Sequence, residues 1–111
     1  MPAFQGLKTV FTEQANFKIH IFAAVMVLGL ALILKISKPD LLILILLISL
    51  VLISELFNSA LEYLADFVTV EKRALIKKAK DSAAAAVLIS AICALAAGCI
   101  IFFPYFKDIF G

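Results

Sequence analysis

Apolar residues run along this chain in three long stretches separated by short polar ones. Ile21–Leu34 carries no charge and extends to residues 19–36 as a first membrane-length helix, apolar all round. Leu41–Ser54 is the second uncharged run, and its helical pattern continues far past the first acid, predicting one long helix over residues 40–68. Ser82–Phe106 is the third, long enough to cross a bilayer with some tilt. Between the first two runs, Ser37-Lys38-Pro39-Asp40 reads as a tight turn that also starts a helix, with Pro39 and Asp40 in its first turn. Ahead of the first span, Phe4, Leu7, Val10 and Phe11 recur at helical spacing, while Lys8, Thr12, Glu13 and Asn16 fall on other faces. Residues 1–18 are therefore predicted to lie along the membrane interface. Residues 69–81 remain as a charged loop. No small-x-small pattern follows Leu34, so the first run reads as a span and not a cleaved leader. The predicted fold class is an all-α membrane protein, with three transmembrane helices and an interfacial N-terminal helix in a single domain over 1–111.

Composition agrees. Hydrophobic residues make up 65% of the 111 and charged residues 16%, against norms of about 45–50% and about 25%. A soluble domain of this size could not bury so much apolar surface, which excludes a disordered tail, a nucleic-acid binder and an ordinary soluble enzyme. A net charge of +2 is too small to argue for a polyanionic partner. Cys93 and Cys99 would point about 120° apart on one helix, so no internal disulfide is expected. His20 and two separated cysteines make a poor zinc site, and His20 reads as an interfacial polar residue. Lys8, Lys18, Lys72, Arg73, Lys77, Lys78 and Lys80 fall on one side of the predicted topology, and Lys35, Lys38 and Lys107 on the other. That bias puts the N-terminus and the 69–81 loop in the cytoplasm. Ser82, Ala86, Ser90, Ala94 and Gly98 form a small-residue stripe suited to close helix approach. Three helices alone enclose little interior, so an oligomer is expected.

The second helix carries the chemistry. Glu55, Asn58, Glu62 and Asp66 share an arc of about 80° on a helical wheel, bordered by Ser59. Counted from Asp40, Glu55 lies about 22 Å and Glu62 about 33 Å along the helix. In a hydrocarbon core about 30 Å thick, Glu55 is just inside the boundary and Glu62 at it. A helix end that simply turns polar would excuse Asp66 and Glu62 but not Glu55 and Asn58. Carboxylates there should face protein, metal or water, because facing lipid is disfavoured. Lys80-Asp81, at the entry of the third span, adds a cation that could hold phosphate while the acids hold Mg²⁺. Neither G-x-x-x-x-G-K-[ST] nor G-x-G-x-x-G occurs, so a nucleotide would be held through metal-bridging carboxylates and lysine. The chemistry suggested is phosphoryl transfer at the bilayer surface, with a carboxylate taking the proton of a lipid hydroxyl.

The run from Glu55 through Asn58-Ser-Ala to Glu62, then Asp66, then Ala79-Lys80-Asp81 and an Ala-rich helix ending at Phe103-Pro104, resembles the prokaryotic diacylglycerol kinase family, which includes undecaprenol kinases. The resemblance covers residues 4–106. It implies a homotrimeric bundle in the bacterial inner membrane, active sites shared between neighbours, and ATP- and Mg²⁺-dependent phosphorylation of diacylglycerol or undecaprenol. By motif match, Glu55 resembles the general base, and Glu55, Asn58 and Ala84 stand where the lipid is held. Glu62 resembles a carboxylate that binds metal and nucleotide. Glu71, Lys72, Arg73, Lys80 and Asp81 fall where the nucleotide is bound. Glu13-Gln14-Ala15-Asn16-Phe17-Lys18-Ile19-His20 resembles the family's E-x-N-F-x-I-H stretch, with Gln14 where a second metal carboxylate usually stands and Glu13 beside it as a substitute. Family members generally carry a further amphipathic stretch before the start of this chain, which suggests a truncated or compact version here. Asn16-Phe17 and Phe103-Pro104 resemble the undecaprenol-kinase branch.

Two other functions fit a small membrane protein. A small ion-coupled transporter would need four spans and a glutamate near mid-membrane, whereas this chain has three spans and acids at one end. A non-catalytic membrane subunit would not require the Glu55/Asn58/Glu62 stripe together with Lys80-Asp81.

Overall fold

The computed structural model describes residues 1–69, 71 and 73–111. Four helices follow one another: α1 (Pro2–Glu13), α2 (Ala15–Ile33), α3 (Lys38–Val68) and α4 (Ala74–Phe110). The last three are each long and apolar enough to cross a membrane. At about 1.5 Å per residue α4 alone spans about 55 Å, matching the longest dimension of the molecule, 55 Å. A hydrocarbon core is about 30 Å thick, so part of α4 stands outside it.

Two boundaries differ from the sequence pattern. α2 starts at Ala15, so Asn16, Phe17 and Lys18 are continuous with the first long apolar helix. Only Gln14, in an extended conformation, separates it from α1. α4 starts at Ala74, which shortens the expected 69–81 loop and puts Lys77, Lys78, Lys80 and Asp81 on helix. The reason is local: Ala74 to Lys80 are nearly all strong helix formers, with no breaker among them. α4 also runs through Pro104 to Phe110. There Phe102, Phe106 and Phe110 meet at i, i+4 with ring centroids 6.3 and 6.2 Å apart, supporting the last turns.

The α2–α3 connection is a built turn. Lys35 takes a left-handed φ of 53°. The N–H of Ile36 reaches back to the carbonyl of Ala31, and that of Lys35 to Leu32, closing α2 as a Schellman motif. Ser37 then caps α3, its Oγ accepting from the N–H of Asp40. Tyr105 of α4 locks this corner: its hydroxyl accepts from the N–H of Ser37 at 2.9 Å and donates to Asp40 Oδ2 at 2.9 Å.

α3 is the central element. It contacts α1, α2 and α4, with α4 packed along it most extensively. The apolar core, formed by Ala31, Leu44, Ile101 and Phe102 with Ile36, Leu41 and Tyr105 against it, sits at the end nearest the α2–α3 turn. α2 and α4 do not pack against each other among the described residues. A groove of about 640 Å³ opens over α3, walled by Ala23 and Ala24 of α2 and Ala91, Ala94 and Gly98 of α4. A Cβ on Gly98 would meet nothing within 4 Å. Within one chain, then, this part of the small-residue stripe lines a groove and does not receive a helix. Large side chains such as Phe22, Leu46, Phe57, Leu88 and Ile100 point outward, exposed. A lipid or protein environment, not water, suits them.

Candidate active site

The buried residues of α3 are Leu44, Val51, Glu55, Ser59 and Ala65. They recur at helical spacing on the side turned to the other helices, so the seam that packs the core continues into the acids. Glu55 is 4% exposed and Ser59 1%. Asn58 and Glu62 are half-buried and Asp66 is exposed. The stripe thus passes from protein interior at Glu55 to solvent at Asp66 within three turns.

Each acid has its own partner. Glu55 Oε1 lies 3.0 Å from Nε2 of His20 on α2. Glu62 Oε1 accepts from Asn58 Nδ2 at 3.4 Å. Asn58 Oδ1 is buried and has no hydrogen-bond partner among the described residues, an acceptor left for a hydroxyl or a cation. Asp66 Oδ1 accepts from Lys80 Nζ of α4 at 2.7 Å. That bond, foremost, holds the Lys80 ammonium above the usual lysine range; partial desolvation opposes it, and the attraction of Asp66 and Glu62 adds to it.

Lys80 and Asp81, expected to act as a pair, diverge. Adjacent helical residues are about 100° apart, so Lys80 faces α3 while Asp81 is held by Lys77, one turn earlier, at 2.6 Å. Ala84, one turn beyond Lys80, shares its face of α4 and is exposed. Glu71 and Arg73 pair with each other at 3.2 Å on the surface. Lys72 lies outside the described residues.

The N-terminal segment reaches the site through Tyr63, the neighbour of Glu62. The Tyr63 hydroxyl donates to Glu13 Oε1 at 3.0 Å and accepts from Gln14 Nε2 at 3.4 Å. Both residues of the expected metal position are therefore fastened to the same tyrosine, and their described contacts are with it and not with Glu62. Nothing in the sequence singles out Tyr63; its position among apolar neighbours gives no sign of the role. Nor does the sequence show the pairing of His20, which reads there as a lone interfacial residue, because the α2–α3 register that creates it is not written in either helix.

Among the described residues no three His, Cys, Asp or Glu side chains gather at one point. Glu62, Asp66 and the free carbonyl oxygen of Asn58 nevertheless offer oxygen donors along one face. Mg²⁺ suits such a set, since it is usually held by one or two carboxylates together with substrate phosphates and water.

The model of the prokaryotic diacylglycerol kinase family matches residues 2–102. The chain belongs to that family. It is 39% identical over 104 residues to a diacylglycerol kinase of Synechocystis sp., covering 92% of this chain and 59% of that protein. It is 34% identical over 102 residues to the undecaprenol kinase of Bacillus subtilis, covering 92% and 83%. The diacylglycerol kinase of Escherichia coli K12 is 32% identical over 104 residues, covering 94% and 85%. The chain thus spans 59% of the Synechocystis relative, less than two thirds, and most of the other two. These relatives are lipid kinases by name, and with three helices of membrane-spanning length and apolarity this member of the family is an integral membrane protein.

Proposed function

We propose that this diacylglycerol kinase family member transfers the γ-phosphoryl group of ATP to the hydroxyl of a membrane lipid alcohol, diacylglycerol or undecaprenol. The observation that carries this reading is a buried glutamate against His20, which lines an apolar groove, with half-buried Glu62 and exposed Asp66 about two and three turns above it on the same side of α3 and Lys80 of α4 on Asp66. The lipid chain lies in the groove and brings its hydroxyl to Glu55 and Asn58, with Ala84 leaving room beside them. Glu55 takes the hydroxyl proton as the oxygen attacks the γ-phosphorus. The new O–P bond forms, the bond to the β-phosphate oxygen breaks, and ADP leaves.

Lys80 exchanges Asp66 for phosphate oxygens when the nucleotide arrives, a charge-assisted contact that positions the transferring group. Glu62 is the carboxylate best placed to hold Mg²⁺ with those phosphates, joined by Gln14 or Glu13 only if Tyr63 releases them. Bound there, the ion neutralises charge on the phosphate oxygens. Lys72, Arg73 and Glu71 meet the outer part of the nucleotide, and Asp81 closes the nucleotide side of α4. The active unit is a homotrimer in the bacterial inner membrane, with the N-terminus and the α3–α4 connection on the cytoplasmic side where ATP is found. The exposed apolar faces of a thin three-helix protomer and the positively charged side of the topology support this arrangement.

Transfer of label from γ-labelled ATP by the purified protein, offered diacylglycerol and undecaprenol in separate mixed micelles, tests the reading. Mg²⁺-dependent label in one lipid and not the other identifies the substrate. Label in neither contradicts the proposal.

A further inference from the structure

His20 is a polar side chain at this end of the molecule to which the mechanism above gives no part. It stands within the first turns of α2, and its Nε2 lies 3.0 Å from Oε1 of Glu55. This is the one described ion pair that joins α2 to α3. The Glu55 side chain is 6% exposed and that of His20 27%. Among the described residues no other donor reaches the Glu55 carboxylate. From α4, the stretch around Ala91 that runs opposite Glu55 carries Cys93 as its one titratable side chain, and that thiol is exposed. Lys18, the nearest cation on α2 in sequence, lies over the ring of Phe11 instead, 5.7 Å from its centroid. A buried carboxylate without a donor carries an unmatched polar group and no fixed orientation. His20 Nε2, 3.0 Å from Oε1, is the nitrogen placed to supply one, and His20 also lines the apolar groove.

We propose that His20 is a positioning residue for Glu55. Its Nε2–H donates to Oε1, fixes the rotamer of the carboxylate, and leaves Oε2 to take the proton of a lipid hydroxyl presented from the groove. His20 touches neither ATP nor the reacting oxygen and acts only through Glu55. The proposal rests on the reading of Glu55 as the base.

The test is a double-mutant cycle in the labelled-ATP assay, with kcat and the KM values for ATP and lipid measured for each variant. His20→Leu removes the donor at similar volume. His20→Gln keeps an amide N–H near the position of Nε2. His20→Leu is expected to lower kcat by about ten- to a hundredfold with the KM for ATP within about twofold, as for loss of an oriented catalytic group. His20→Gln is expected to stay within about threefold of wild type. In a Glu55→Gln background, His20→Leu is expected to cause no further loss, because residues acting as a unit are non-additive. Equal losses from His20→Leu with and without Glu55, or a His20→Gln as impaired as His20→Leu, would overturn the proposal by reducing His20 to a structural tie. Should His20→Leu fail to assemble, His20→Asn replaces it: the shorter amide cannot reach Oε1, so kcat must fall relative to His20→Gln, and equality overturns the proposal. If Glu55→Gln is inactive while His20→Leu turns over as wild type, only the role of His20 is lost. If Glu55→Gln itself turns over normally, the base reading falls and takes this one with it.

Discussion

The two ends of the helical bundle are built on the same seam of α3 and do opposite things with it. Near the α2–α3 turn the seam presents Leu44, which meets Ala31, Ile101 and Phe102. There every strong feature is a fastening: the Schellman turn at Lys35, the Ser37 cap, and the Tyr105 hydroxyl bridging Ser37 and Asp40. Further along, the seam presents Glu55, Asn58 and Glu62. An apolar groove between α2 and α4 ends there at His20, and one buried carbonyl oxygen is left unpaired among the described residues. One end spends its polar groups on each other. The other keeps a carboxylate buried, an acceptor free and a lysine on a partner that phosphate can replace. A protein that only needed three spans would have no reason to differ so much between its ends. The contrast makes stability and chemistry separable by mutation.

The largest separation is expected for Glu62→Gln. Removing the carboxylate nearest the phosphates should lower turnover by at least about a hundredfold and raise the Mg²⁺ concentration for half-maximal rate by about tenfold or more. Thermal unfolding in detergent should barely move, since Glu62 is half-buried and its described hydrogen bond is to Asn58 alone. A lowered melting temperature with unchanged Mg²⁺ dependence would mean that Glu62 is structural. Ile101→Ala, in the core and outside the groove lining, is expected to do the reverse. A cavity in the core costs about 2–4 kcal/mol, while kcat measured below the melting transition stays within about twofold of wild type. Coupled loss of kcat there would erase the division between the ends.

A smaller effect sharpens the N-terminal edge of the site. Gln14→Glu places a second carboxylate on Tyr63, whose single hydroxyl proton can serve only one acceptor at a time. One of the two neighbouring carboxylates is then free to turn to the metal, and the Mg²⁺ requirement should fall by about three- to tenfold. Glu13→Gln in the natural background shows which of the two positions serves. No change in either variant's Mg²⁺ titration would place the N-terminal segment outside the metal site. Smallest of all, Lys35→Gly should raise stability by about 0.5–1 kcal/mol by relieving the left-handed φ, read as a higher melting temperature at unchanged activity.

Most of the fold was legible in the sequence because its signals are local. Uncharged runs of membrane length, the Ser37-to-Asp40 cap and the arc of acids on α3 each need only one segment to be read. The start of α4 at Ala74 was hidden by its charges, which look like loop although Ala, Leu, Ile and Lys are all compatible with helix. The site was legible along single helices and illegible across them. Glu55, Asn58, Glu62 and Asp66 emerge from periodicity on α3, but His20 against Glu55, Tyr63 against Glu13 and Gln14, and Lys80 against Asp66 depend on how α2, the α1–α2 junction and α4 sit on α3. The separation of Lys80 from Asp81 follows from helical geometry, and it became visible once both residues proved to be helical.

The central claim is that the buried carboxylate at the open end of the seam is the base of a lipid kinase. Its most direct test compares wild type and Glu55→Gln for transfer of the γ-phosphoryl group to lipid, at matched oligomeric state and matched melting temperature. Wild type is expected to label the lipid in an Mg²⁺-dependent reaction. Glu55→Gln is expected to bind ATP with wild-type affinity yet to lose at least about a hundredfold in turnover, the scale on which a positioned general base contributes. A Glu55→Gln protein that phosphorylates lipid at the wild-type rate would contradict it.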